Sequence, residues 1–169
     1  MISIEALYEA DRRRISTGLA AQSVVASHFK LNAIPMMWDT GERTLDRYMF
    51  TSKLLFPSSI PTSFRRSVIV WAGLLADDWE EAVSYPYGCF DYHMFMLDMD
   101  DGYSEKQRRA IHGHPQAWRA FQVAMKILHS KMSEWQEEAK RLSEQFRFNT
   151  AIPSATGHDD DGSPSAFAE

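Results

Sequence analysis

The chain has 169 residues, 44% of them apolar and 12% aromatic, which is enough for a buried core and excludes a largely disordered protein. Its net charge of −5 disfavours general nucleic-acid affinity, because neutralised phosphates supply most of non-specific binding. A single cysteine, Cys89, excludes an internal disulfide and points to a reducing, cytoplasmic setting.

No apolar leader is read at the start, where Glu5, Glu9 and Asp11 intervene. The longest apolar run, Val68 to Ala76, falls far short of the ~20 residues of a membrane span. Ser3 caps a first helix whose apolar contacts are Ile4, Leu7, Ile15, Leu19, Ala26 and Phe29. The segment "LNAIPMMWDTGE" reads as a loop, punctuated by Pro35 and Gly41. A second helix is expected from about Glu42 to Leu55, with Leu45, Tyr48, Met49 and Leu55 on one side.

After Pro57 and Pro61, Thr62 or Ser63 opens a third helix. Phe64, Val68, Trp71, Leu75, Trp79 and Val83 step along it by three and four. Its last turns carry an acidic group, Asp77, Asp78, Glu80 and Glu81, before "SYPYG" ends it. The run "CFDYHMFML" suits helix or strand, and helix is preferred because its neighbours are helical. Ser104 and Gln107 form a capping box for a short helix that Gly113 stops. Pro115 then opens a long last helix with a heptad seam through Trp118, Phe121, Met125, Leu128, Met132, Trp135, Ala139, Leu142 and Phe146.

The first half of that helix is apolar on two sides and the second half on one. Beyond Asn149 the chain is polar, acidic and rich in Pro, Gly and Ser. The expected architecture is all-α: a single compact bundle of five or six helices over residues 1–149, ending in the heptad-patterned helix. Residues 150–169 are expected to be a disordered acidic tail.

The stretch "LDMDDGYSEKQRRAIHGHP" concentrates reactive residue types. His93, His112 and His114 with Asp98, Asp100 and Asp101 contain enough nitrogen and oxygen for a divalent metal, but match no familiar ligand spacing. No cofactor is therefore expected. Arg109 and His114 are separated by four residues and Arg108 and His114 by five, which resembles the R-x(4–6)-H element of HEPN-type ribonucleases. That resemblance implies an all-α dimer in which Arg108 or Arg109 and His114 line a cleft and cut RNA without a metal. Cys89 has Asp91 and His93 nearby, yet no basic or helix-terminal setting that would activate a thiolate.

"RRAIHGHPQAWR" also scans as helix-turn-helix, but the following helix is apolar on the faces that would have to read DNA. The preferred expectation is a non-enzymatic protein-binding module, an inhibitor or adaptor of the kind that phages or mobile elements encode. Met36, Met37 and Trp38 would contact the partner, as would Trp135, Leu142 and Phe146 at the far end of the seam, or the acidic turns at Asp77, Asp78, Glu80 and Glu81. The last helix also offers a face for a homodimer.

Overall fold

The computed structural model describes residues 3–41, 50–99 and 104–145. Among them lie seven helices and one two-stranded sheet. α1 spans Ile4–His28, and the Ser3 hydroxyl accepts from the Ala6 N–H at 3.1 Å, as a cap must. Its far end closes with the Leu31 N–H donating to Ala26 O at 3.0 Å and the Lys30 N–H donating to Ser27 O at 2.9 Å. That pairing needs a left-handed residue, and Lys30 fills the place at φ 56° where glycine is commoner.

The expected loop at 31–42 and the expected helix at 42–55 both need correction. Ile34–Asp39 is a strand, β1, and Phe50–Leu55 is its antiparallel partner, β2, in the register Ile34↔Leu55 to Asp39↔Phe50. Residues 42–49, where most of the expected second helix falls, lie outside the described residues. Leu45, Tyr48, Met49 and Leu55 would share one side of a helix, but pairing with β1 and burial of Phe50 win over the local pattern. The hairpin lies on the first half of α1. The Phe50 N–H donates to Asp11 Oδ2 at 3.2 Å, Tyr8 Oη donates to Asp39 Oδ2 at 3.2 Å, and Met37 is buried over Ser16.

The third helix arrives in two pieces, α2 (Ser63–Asp77) and α3 (Trp79–Ser84), broken at Asp78. α4 (Pro86–Met99) resolves the ambiguous run as a helix. α5 (Glu105–Ile111) carries the expected capping box: the Gln107 N–H donates to Ser104 Oγ at 3.2 Å, and the Ser104 N–H to Gln107 Oε1 at 2.8 Å. The long last helix is also divided, into α6 (Ala117–Ser130) and α7 (Met132–Gln145), and begins two residues after Pro115. Phe146 and the expected tail lie outside the described residues.

α1 and α2 cross at the centre, where a Cβ on Gly18 would sit 3.5 Å from the Gly73 carbonyl oxygen. The hairpin and α7 pack on α1; α5 and α6 pack on α2. Trp71 of α2 joins the outer helices to this core. Its ring centroid lies 5.3 Å from Phe90 of α4 and 5.1 Å from Phe121 of α6, and Phe90 in turn meets Trp118 at 5.0 Å. On the other side, buried Arg12 of α1 binds the Ser143 carbonyl and hydroxyl of α7 and pairs with Glu9. Trp135 of α7 donates its Nε1–H to Thr17 O at 3.0 Å.

Candidate functional site

Two features of the surface stand out once the core is accounted for. The first is α4. Cys89, His93 and Leu97, four residues apart, form its buried side. Gly88, Tyr92, Phe95 and Met99 recur at intervals of four, three and four, and so share another face. That face is open: Tyr92, Phe95 and Met99 are 53%, 62% and 68% exposed. Gly88 has no side chain because the Tyr85 ring lies over it, within 2.0 Å of where a Cβ would stand. Tyr85, itself exposed, thereby extends the apolar row by one ring. Asp91 and Asp98 are exposed beside this row and edge it with negative charge.

The second is a cleft of about 320 Å³ where the start of α2 meets α5, lined by Ser63, Arg66, Glu105, Lys106, Arg109 and His114. It brings together two of the residues singled out by spacing, Arg109 and His114, and adds Ser63 and Arg66 from a segment about fifty residues earlier. The Gln116 N–H donates to His114 Nδ1 at 3.1 Å, which places the neutral ring's proton on Nε2, 3.3 Å from Ser63 Oγ. Arg109 pairs with Glu105, whereas Arg66 and Lys106 have no carboxylate partner among the described residues. The first turn of α2 holds no acidic residue but does hold Arg65 and Arg66. Cations at a helix N-terminus oppose the macrodipole, at about 0.3–1 kcal/mol each where exposed.

The residues considered for a metal do not converge. His93 Nε2 lies 2.9 Å from Asp78, His112 Nε2 lies 3.4 Å from Asp98, and His114 belongs to the cleft. Among the described residues no three His, Cys, Asp or Glu side chains form a metal-sized group, and Asp100 and Asp101 lie outside them. Cys89 is buried, and desolvation with help from Asp78 and Glu81 pushes its thiol up to about 11, the reverse of an activated nucleophile.

The residues considered for protein contact are dispersed. Met36 and Trp38 are exposed on the outer face of the hairpin beside Ile34, while Met37 points inward. Trp135 and Leu142 are buried against the rest of the chain, so the seam of α7 is already occupied. In the acidic group, Asp77 pairs with Arg14 and Asp78 with His93, while Glu80 and Glu81 are exposed. Arg108 is half-buried on α5. The exposed stripe of α4 was not anticipated, because an apolar run that suits a core does not reveal which of its sides is left open.

Burial holds the His93 imidazole below its ordinary 6.5, against the opposing pull of Asp78. Folded His93 therefore stays neutral where the unfolded chain has begun to take up a proton. Stability is expected to fall as pH drops below 6.5 towards the lowered value, and His93→Gln should flatten that slope. Asp77 acts in the opposite sense further into acid, because burial raises its carboxyl above 3.8 despite Arg14. Urea unfolding midpoints at pH 7.5, 6.5 and 5.5 read the effect directly; an unchanged slope in the variant would refute it.

No protein-family model matches the chain, and no curated protein matches it. Among the described residues, no helix is long and apolar enough to cross a membrane. Function rests on the chain's own surfaces.

Proposed function

We propose that the protein is a non-enzymatic cytoplasmic binding module, a small inhibitor or adaptor, that docks another protein through the outer face of α4. The observation that carries this reading is the row of Tyr92, Phe95 and Met99, exposed on a helix whose opposite side is already in the core and extended by the exposed ring of Tyr85 just before it. An isolated exposed apolar residue is ordinary, but a contiguous row at helical spacing is the signature of a helix that lies in a partner's groove. Asp91 and Asp98 give the partner's chemistry: an apolar groove with a basic rim.

Affinity capture from cells with the intact chain as bait, followed by mass spectrometry, tests the reading. Phe95→Glu is expected to weaken capture of a specific partner by about 30-fold or more, as for loss of a central aromatic anchor worth 2 kcal/mol. The position is exposed, so the variant keeps its fold and its circular dichroism spectrum. Trp38→Glu, on the hairpin, should leave capture intact. Equal capture by wild type and Phe95→Glu would remove α4 from the account, and loss with Trp38→Glu alone would move the interface to the hairpin. Mass measurement by size-exclusion chromatography with light scattering separates a foreign partner from a second copy of the chain.

A further inference from the structure

We infer that the cleft between α2 and α5 is a binding site for the phosphate of a small phosphomonoester, separate from the α4 face. Arg66, Lys106 and Arg109 face it with one carboxylate, Glu105, so it carries an excess of two positive charges within a chain of net charge −5. Two of these cations have no carboxylate partner among the described residues, although acidic side chains outnumber basic ones in the sequence, 23 to 18. The charge excess matches a dianionic phosphomonoester better than the single charge of a phosphodiester.

Hydrogen bonding points the same way. The His114 Nε2–H is directed at Ser63 Oγ, which leaves the Ser63 hydroxyl proton free to donate into the cleft. The positive end of α2 stands behind it. Apart from the apolar Ala110, every side chain lining the cleft is thus a donor or a cation, save Glu105, which braces Arg109. Both ring nitrogens of His114 are engaged, one by Gln116 and one by Ser63, so neither is left as a base for a ribose hydroxyl. The arrangement holds an anion; it is not set to cleave one. A volume of about 320 Å³ leaves space beyond the phosphate for a body the size of a nucleoside.

The test is titration of the full chain at constant ionic strength with three probes: inorganic phosphate, adenosine monophosphate, and a short single-stranded RNA lacking terminal phosphates. Thermal shift and calorimetry give the readouts. Phosphate and the monophosphate should raise Tm in the wild type. The paired change Arg66→Gln with Lys106→Gln should lower affinity by about tenfold or more, as expected for loss of charge-assisted bonds. In chloride alone the paired variant should melt no lower than the wild type, because Arg66→Gln removes a cation from the positive end of α2. Arg13→Gln with Lys140→Gln, at a separate cleft between α1 and α7, should leave the shift unchanged. Equal phosphate response in wild type and the Arg66/Lys106 variant would overturn the assignment. Tighter binding of the unphosphorylated RNA than of adenosine monophosphate would overturn it as well.

Discussion

Replacing Trp71 with alanine is expected to destabilise the fold by about 3–5 kcal/mol, the range for truncating a large buried aromatic. The side chain is fully buried and makes edge or stacking contacts with Phe90, His93 and Phe121. Its loss would open a cavity where α2, α4 and α6 meet. Those helices are held there by rings whose neighbours, Trp118 and Tyr87, stack in turn at 4.7 Å. Trp71→Phe should cost less, because it keeps most of the packing and removes an indole N–H that has no partner among the described residues. Urea unfolding measures both. A loss below about 1.5 kcal/mol for Trp71→Ala would mean that the three helices close over the gap, contrary to a close-packed junction.

Arg12→Ala is expected to cost about 3 kcal/mol, towards the lower end of the range for breaking a buried ion pair, because Glu9 keeps access to water. The guanidinium is 2% exposed and ties α1 to α7 through Ser143. Its removal leaves a carbonyl and a hydroxyl of α7 to find other partners. Arg12→Met should be markedly milder, since a flexible apolar side chain refills the volume. Equal losses for the two variants would show that the polar tie, and not packing volume, sets the contribution of Arg12.

Both residues show where sequence reading succeeds and where it stops. Trp71 lies on an uninterrupted three-and-four pattern, so its burial was legible. Nothing in the sequence distinguishes Arg12 from the two arginines that follow it, because the carbonyl that receives it is 131 residues away. Local signals with local partners came through: the Ser3 cap and the Ser104–Gln107 box. The hairpin did not, because β1 and β2 lack a short turn signature between them and the residues after Gly41 mimic a helical step.

The breaks at Asp78 and Lys131 have neither proline nor glycine to announce them. They fall where each half-helix packs on a different neighbour. The candidate site divides the same way. Arg109 and His114 stood out by spacing, but Ser63 and Arg66 enter only through the fold. The open stripe on α4 was hidden because its residues look like core.

The break at Lys131 bears on how the molecule comes apart. α6 shares the aromatic junction with α2 and α4, whereas α7 is tied to α1 through Arg12 and the Trp135 indole. A continuous helix would transmit fraying at its end into that junction. With the ladder interrupted, α7 can detach as a cooperative unit of its own, leaving the aromatic junction closed. Its amides would then exchange with solvent through a partial opening of lower free energy than global unfolding, while those of α2 and α6 would wait for the whole chain to unfold.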